Sequence, residues 1–297
     1  PQPTNQQGIN MKAIVVTGVS TGIGHAAVKV LLDKGFRVFG SVRKQADADR
    51  LSAEFGEAFS PLIFDVTDEA AINEAADCVR EALGGQTLGG LVNNAGIAVP
   101  GPLTELATDE FRQQLEVNLV GPFMVTKAFA PLLGADQTLA GSPGRIVNIS
   151  SVAGIRAMPF VGPYAASKFG LEGYSEALRR ELLLYGIDVV VIGPGPVKTA
   201  IWDKAEELDV SSYADSPYAN ILEKFSHMFI AQGRDGYPAE RLGALIHEAL
   251  TTPNPKVRYE AEKGRAMEKV VRAVASKRTL DKIIGKTLGL LPPLRKA

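Results

Sequence analysis

Cysteine is nearly absent from the chain, and its scarcity excludes two kinds of structural link. The 297 residues include one cysteine, Cys78, so no disulfide can close within the chain and no cluster of cysteines can hold a metal. The three histidines are scattered and lack the spacing of metal ligands. The sequence therefore predicts no metal site, and the low cysteine content is typical of a protein that works in the reducing cytoplasm.

Strong net charge and long apolar runs are missing as well. Lys and Arg total 32 and Asp and Glu total 33, so the formal charge of −1 provides no electrostatic reason to bind nucleic acid. No apolar run approaches the roughly 20 residues of a transmembrane helix. Residues 1–10 lack a basic segment followed by an apolar core, which favours a disordered leader or an expression remnant over a secretory signal.

Short apolar runs alternate with helical patterns along most of the chain. Strands are predicted at 11–18, 36–44, 60–66, 88–96, 144–151 and 187–195. Helices are predicted at 22–35, 47–56, 68–85, 108–133, 163–186 and 238–251, and an extended piece at 257–261. This alternation predicts an α/β fold, in which a single Rossmann-type domain contains a doubly wound parallel sheet.

The alternation weakens toward the C-terminus. We assign 11–260 to the main domain and the basic stretch 261–297 to a C-terminal helical tail. Within the domain, 196–235 is predicted to be a mobile apolar loop over a substrate, and a pair of core helices is the alternative. The tail could pack on the domain or a second subunit, shape a pocket entrance, or contact a membrane surface.

A glycine cluster joins the first predicted strand to the first helix. Gly18, Gly22 and Gly24 permit a tight turn and let a pyrophosphate approach the helix N-terminus, whose free N–H groups favour an anion. The spacing matches neither G-x-G-x-x-G nor a P-loop, so a glycine-rich turn without a ligand is the alternative. Its position after the first strand favours a dinucleotide.

Further signals follow the glycine cluster in a characteristic order. They are NNAG at 93–96, Asn118, Ser151, the pair Tyr164 and Lys168, and PGPVKT at 194–199. This ordered set resembles the short-chain dehydrogenase/reductase family over about residues 11–250. The stretches SVRK, GPGPVKT and PNPKVRY resemble its steroid- and retinol-dehydrogenase-like branch.

The resemblance implies an oxidoreductase that transfers a hydride between NADP(H) and a lipophilic secondary alcohol, ketone or aldehyde. The implied catalytic set is Asn118, Ser151, Tyr164 and Lys168, and the implied substrate contacts are Ser151, Tyr164 and Trp202. Ser151 is preferred to Ser150 because it lies 13 residues before Tyr164, the family's usual interval. The alternative is a non-catalytic protein on the same fold that senses or binds NADP(H).

The spacing of Tyr164 and Lys168 has a chemical reason beside the resemblance. Residues four apart share one helix face, which on an isolated helix is most often a solvated surface. A free tyrosine has a pKa of about 10, and a neighbouring Lys⁺ lowers that pKa, so the phenol can exchange its proton with a substrate oxygen. Asn118 is implied to hold a water near the lysine, and a buried amide bonded to backbone is the alternative.

The implied cofactor contacts follow the predicted strands. They are Gly18, Ser20, Thr21, Gly22, Ile23, Gly24, Arg43, Asp65, Val66, Asn93, Ala95, Gly96, Tyr164, Lys168, Pro194, Gly195, Val197 and Thr199. Where many NAD-binding folds carry an acid after the second strand, this chain has Arg43, and a guanidinium can bind a 2′-phosphate. We therefore expect NADP(H) as the preferred cofactor, with NAD(H) as the alternative.

Two further points follow from the resemblance. Gly193 stands before the Pro-Gly pair, where many family members have asparagine. The helices that carry Asn118 and Tyr164 form the family's usual dimer surface, so the resemblance implies a homodimer or homotetramer.

Overall fold

The computed structural model of the protein describes residues 12–199, 213–261 and 276–292. Its strands are β1 (Ala13–Val16), β2 (Arg37–Val42), β3 (Phe59–Ile63), β4 (Gly90–Asn93), β5 (Arg145–Ile149), β6 (Asp188–Pro194), β7 (Val197–Lys198), β8 (Tyr237–Pro238) and β9 (Arg258–Ala261). Seven of them form one sheet in the order β3-β2-β1-β4-β5-β6-β9, and all neighbours in that sheet are parallel. The predicted substrate contact Trp202 lies outside the described residues.

Helices connect these strands and cover both faces of the sheet. They are α1 (Gly22–Asp33), α2 (Gln45–Phe55), α3 (Glu69–Leu83), α4 (Thr108–Leu115), α5 (Gly121–Phe129), α6 (Gly162–Glu181), α7 (Ala219–Arg234), α8 (Ala239–Thr251) and α9 (Lys277–Leu288). The predicted doubly wound α/β fold is thus confirmed. The helix predicted at 108–133 contains a π-helical turn (Glu116–Val120) between α4 and α5, and the backbone stays right-handed helical at both junctions.

The two faces of the central strands contribute to two separate cores. Ile14 and Val16 of β1 pack in the cluster that includes residues of α1 and α8, whereas Ala13 and Val15 pack with α3 and α5. Successive strand residues point to opposite faces, so a strand buried on both sides reads as a continuous apolar run. Burial on both sides explains why β1 and β6 could be predicted as strands from their continuous apolar runs.

A third apolar cluster lies around the start of α6. It consists of Phe160, Val161, Leu222, Phe225 and Leu288, and we call it the cap cluster. Residues 219–234 form helix α7, one face of which lies in this cluster. Residues 200–212 of the segment 196–235 lie outside the described residues, so the mobile loop over a substrate and the pair of core helices both stay predictions. Helix α9 packs on α7, where Lys224 Nζ donates to the carbonyl of Thr287 at 2.9 Å. In the described ranges, no helix combines the length and apolar character needed to span a membrane.

Candidate active site

The glycine loop after β1 is shaped by close backbone contacts. Gly18 and Gly22 have φ angles of +69° and +65°, in the left-handed region that favours glycine. A Cβ at Gly18 would lie 2.8 Å from the Cα of Ala95, and one at Gly24 would lie 2.3 Å from the carbonyl oxygen of Gly18. The three glycines therefore bring the backbone of the loop, the start of α1 and the end of β4 into contact.

The start of α1 fits a phosphate group. Thr21 precedes the helix, and its side chain makes no capping hydrogen bond. The first N–H groups of a helix lack partners within the helix, and together with the helix dipole they form a site for an anion. Ser20, Thr21 and Ile23 border this turn, and the side chain of Thr199 lies beside Gly22, 3.3 Å from where its Cβ would be. The loop thus fits the pyrophosphate of a dinucleotide.

A set of buried polar side chains holds the glycine loop in place. Thr17 Oγ1 accepts from the N–H groups of Asn94 and Ala95 at 2.9 and 3.0 Å. Asn94 Nδ2 donates to the carbonyls of Thr17 and Gly18, and Gly18 N–H donates to Ser41 Oγ at 3.0 Å. Sequence reasoning missed Thr17, Ser41 and Asn94, although each is a polar residue at the end of an apolar strand.

Asn93, a predicted cofactor contact, directs its side chain into the interior instead. Asn93 Nδ2 donates to Thr126 Oγ1 at 3.0 Å and to Asn148 Oδ1 at 2.8 Å, and Asn148 Nδ2 donates to Ser175 Oγ at 2.8 Å. This chain of side chains ties β4 and β5 to α5 and α6. Because the Asn93 side chain is engaged in the interior, only its main chain is free to contact a cofactor.

The ends of β2 and β3 bring Arg43 close to Asp65. Arg43 Nη1 lies 3.7 Å from Asp65 Oδ2, and the Arg43 side chain is 71% exposed. A second guanidinium approaches the glycine loop from α2, where Arg50 Nη2 donates to the carbonyl of Ser20 at 2.8 Å. Val66 is buried and faces Gly121 of α5. The edge expected to meet the adenosine end of a cofactor therefore carries two arginines.

The structure brings Ser151, Tyr164 and Lys168 together. The Ser151 side chain acts on the Tyr164 phenol and lowers its pKa against the effect of burial. Lys168 Nζ lies 5.7 Å from the centre of the Tyr164 ring and donates to the carbonyl of Ile149 at 2.8 Å. Because Tyr164 and Lys168 are one turn apart on α6 and Ser151 follows β5, one helix and one strand end position the group.

Burial controls the protonation of this group. Burial lowers the pKa of Lys168 to about 8, and the carboxylate of Glu172 acts in the opposite direction. Burial also raises the pKa of Tyr164, and the Ser151 side chain opposes this rise only partly. The direction for Tyr164 is opposite to that expected from Lys168 alone, because removal of the phenolate from water outweighs the favourable charge. The phenol therefore keeps its proton at neutral pH.

The two adjacent serines have different surroundings. Ser151 Oγ accepts from the N–H of Ala153 at 3.0 Å and donates to the carbonyl of Pro194 at 3.5 Å. Ser150 Oγ is buried and has no hydrogen-bond partner among the described residues. Ser151 is the serine that influences the pKa of Tyr164, and its choice as the catalytic serine stays a prediction.

Asn118 is buried in the π-helical turn, and its amide is occupied by backbone. Its Oδ1 accepts from Ile97 N–H at 2.9 Å, and its Nδ2 donates to the Ile97 carbonyl at 2.9 Å and to Ser167 Oγ at 3.3 Å. Ser167 Oγ donates to the carbonyl of Tyr164 at 2.7 Å. The side chain thus links the segment after β4 to α6, as the alternative for this residue describes.

The Pro-Gly segment runs from the serine to the glycine loop. The Pro194 carbonyl accepts from Ser151 Oγ at 3.5 Å, and Gly195 N–H donates to the carbonyl of Ala261 at 2.8 Å. Val197 is buried, and Thr199 lies beside Gly22. The segment therefore connects the two halves of the candidate site. Gly96, the last residue of NNAG, faces the side-chain amide of Asn118.

The chain is similar in sequence to known oxidoreductases. A family model described as short chain dehydrogenase matches residues 12–209. The chain is 40% identical over 278 residues to an NADPH-dependent 3-dehydrocapnine reductase from Ornithobacterium rhinotracheale, an alignment that covers 94% of this chain and 98% of the relative. It is 31% identical over 264 residues to mouse retinol dehydrogenase 16, across 84% of this chain and 80% of that protein.

The fold is also shared with a solved structure. The crystal structure of a short-chain dehydrogenase from Streptomyces avermitilis superimposes with a TM-score of 0.73 and 25% sequence identity, across 94% of this chain and 98% of that chain. The family match, the relatives and the shared fold agree with the order of motifs in the sequence. The chain belongs to the short-chain dehydrogenase family of NAD(P)-dependent oxidoreductases.

Proposed function

We propose that the protein is an NADP(H)-dependent oxidoreductase that reduces a lipophilic ketone or aldehyde and oxidises the corresponding alcohol. The observation that carries this proposal is the group of Ser151, Tyr164 and Lys168 at the same sheet edge as the glycine loop, where Lys168 Nζ lies 5.7 Å from the centre of the Tyr164 ring and Ser151 influences the pKa of the phenol. The main domain, 11–260, then serves as the cofactor-binding domain. A protein that only senses NADP(H) would have no use for this proton donor.

The glycine loop and Arg43 are proposed to hold the cofactor. The uncapped start of α1 would bind the pyrophosphate, and Arg43 would turn from Asp65 toward a 2′-phosphate. Lys168 would contact the nicotinamide ribose. When bound, the nicotinamide supplies or accepts the hydride. The similarity to an NADPH-dependent reductase supports NADP(H) rather than NAD(H).

Tyr164 is proposed to move the proton. In the reductive direction its hydroxyl donates the proton to the carbonyl oxygen of the substrate, and the raised pKa keeps that proton available at neutral pH. Ser151 Oγ would donate a second hydrogen bond to the same oxygen and stabilise the developing negative charge. While Lys168 is charged, it stabilises the tyrosinate that remains after the proton has been transferred.

The cap cluster supports a lipophilic substrate. Phe160 and Phe225 have ring centroids 5.4 Å apart, and Tyr218 contacts Phe160 edge to face. The ring of Tyr164 itself packs against this cluster, so the catalytic phenol lies at an apolar boundary. Apolar walls with few polar groups are typical of sites for lipophilic ligands. The similarity to a retinol dehydrogenase agrees with such a substrate.

A substrate screen with a paired tyrosine substitution tests the proposal. Ketones and aldehydes of increasing chain length, with 3-dehydrocapnine and retinal among them, are offered with NADPH or NADH while the absorbance of the reduced nicotinamide is followed. We expect turnover with NADPH, and loss of at least about 100-fold in kcat for Tyr164→Phe. NADPH binding, measured by fluorescence, should be retained.

Tyr174→Phe is the matched control, because Tyr174 lies on the same helix and burial raises the pKa of its hydroxyl as it does for Tyr164. This variant should keep nearly full turnover. Full activity of Tyr164→Phe would refute the assigned role of the phenol. NADPH binding without turnover of any compound in the panel would favour the cofactor-sensing alternative.

A further inference from the structure

Arg258, on the last strand of the sheet, reaches the main chain of the candidate catalytic serine. Its Nη2 donates to the carbonyl of Ser151 at 3.3 Å. Its Nε donates to both carboxylate oxygens of Glu172, at 3.1 and 3.2 Å, and its Nη1 donates to Glu260 at 3.0 Å. The Arg258 side chain is 19% exposed and that of Glu172 is 18% exposed. The guanidinium is therefore held from three sides in a largely buried place.

Glu172 connects this arginine to the helix of the catalytic tyrosine. Tyr164, Lys168 and Glu172 are spaced four apart on α6, so they follow one another along one side of the helix. The negative charge of Glu172 acts on Lys168 and raises its pKa against the effect of burial. Arg258 thus binds the residue that follows Lys168 on this side of α6, and it binds the backbone of Ser151 as well.

The same guanidinium occupies the space beside Gly193. A Cβ at this position would lie 2.2 Å from Arg258 Nη2, 2.8 Å from Cζ and 3.3 Å from Nη1, and these are the three nearest atoms. No side chain fits at 193 unless the guanidinium moves. This contact gives a physical reason for glycine at a position where many members of the family have asparagine.

We infer that Arg258, together with Glu172, is a positioning residue for the proposed reaction and imposes glycine at position 193. The pair connects the backbone of Ser151 with the helix of Tyr164 and holds them in one arrangement. The catalytic part of this inference rests on the proposed function, whereas the steric relation between Arg258 and Gly193 does not. Removal of one partner of a buried ion pair leaves an uncompensated charge, so the pair must be altered together in any test.

A double-mutant cycle tests the steric relation. Gly193→Asn is made in the unmutated protein and in a background that carries Arg258→Ala with Glu172→Gln, which vacates the space and removes both members of the Arg258–Glu172 ion pair. Because Glu172→Gln also removes a negative charge that acts on Lys168, each effect of Gly193→Asn is measured against its own parent protein. We expect Gly193→Asn to lower kcat at least about tenfold relative to the unmutated protein and less than about threefold relative to the background, because interacting sites are not additive. The unfolding temperature should show the same pattern.

The unfolding temperature keeps the steric test separate from the proposed function. If no compound is reduced, the proposed function fails. The steric relation is then still tested by the unfolding temperatures of the same four proteins. Equal effects of Gly193→Asn in both backgrounds, in kcat and in unfolding temperature, would overturn the steric relation.

A neutral pair tests the positioning role. Arg258→Gln with Glu172→Gln retains polar side chains at both positions, but glutamine is shorter than arginine and loses the hydrogen bond from Nη2 to the Ser151 carbonyl. We expect kcat to fall about tenfold while the NADPH dissociation constant and the unfolding temperature change little. The exposed pair Arg180 and Glu176 on α6 is the matched control, and its neutralisation should leave kcat unchanged. An unchanged kcat in the Arg258 variant, or a fall explained by loss of folded protein, would contradict the inference.

Discussion

Tyr164 shows how burial and charge compete at a single side chain. A lysine one turn away favours the phenolate, yet removal of the ring from water has the larger effect and the pKa of the phenol rises. Lys168 experiences the same burial, which lowers its pKa to about 8. In the free protein the pair therefore stores a proton on the phenol near neutrality. A protonated phenol suits the reductive direction, in which Tyr164 donates a proton to the substrate.

Arg43 carries the prediction about cofactor choice. Arg43→Asp replaces a guanidinium that can bind a 2′-phosphate with a carboxylate that repels it. We expect the dissociation constant for NADPH to rise at least about tenfold, and that for NADH to change by less than about threefold. Fluorescence titration with each reduced cofactor measures both constants.

A second arginine provides the control for this prediction. Arg112 is similarly exposed, at 73%, and it also pairs with an aspartate, but it lies on α4 away from the glycine loop. Arg112→Asp should leave both constants unchanged. If the unmutated protein binds the two cofactors equally, or if Arg43→Asp weakens both alike, then Arg43 does not select the cofactor.

The sequence identified residue types at the site better than side-chain directions. The spacing of Tyr164 and Lys168 on one helix places both together without knowledge of the fold, because helix geometry is regular. The neighbours Asn93 and Asn94 could not be assigned in the same way, since one enters the interior and the other holds the glycine loop. Arg258 lies 107 residues from Ser151, and no local pattern connects them.

At the scale of elements, strands and helices were predictable where burial was regular. The segment between β4 and β5 is the exception, because its helical periodicity continues through 108–133 while the structure changes to a π-helical turn at Glu116–Val120. Such a turn contains an extra residue and is often found at functional sites. Its cause is tertiary, since the Asn118 amide bonds to the backbone of Ile97, and periodicity carries no information on that contact.

Asn118→Ala tests whether this turn is a scaffold. The substitution leaves the Ile97 N–H without its partner, whereas the Ile97 carbonyl still accepts from Gln114 Nε2 at 2.9 Å. We therefore expect a loss of about 1–3 kcal/mol in the free energy of unfolding. Chemical denaturation measures this loss. Glu116→Ala, at an exposed residue of the same turn, should cost less than about 0.5 kcal/mol.

Turnover of the same variant separates the two uses of Asn118. A stable Asn118→Ala protein with a greatly reduced kcat would show that the amide serves the reaction directly, as the family resemblance implies. In that case its bonds to Ile97 would not be its main contribution.

At the scale of the whole molecule, two faces of helix α6 have different surroundings. One side bears Lys168 and Glu172 against the sheet, whereas Phe169 is 47% exposed on the outside. Phe123 of α5 is 48% exposed and contacts Tyr174 of α6 edge to face. Exposed aromatic side chains on adjoining helices are typical of surfaces that bind another protein. A second copy of the chain is the partner that the family resemblance implies.

Substitution of both phenylalanines tests this surface. Phe123→Glu with Phe169→Glu places two negative charges where two copies would meet, so we expect a homodimer or homotetramer to dissociate to smaller species at micromolar concentration. Sedimentation velocity measures the change. Ile63→Glu is the control, because Ile63 is 46% exposed but lies on β3 at the far edge of the sheet. A monomeric unmutated protein, or an assembly that survives both substitutions, would show that this face does not join subunits.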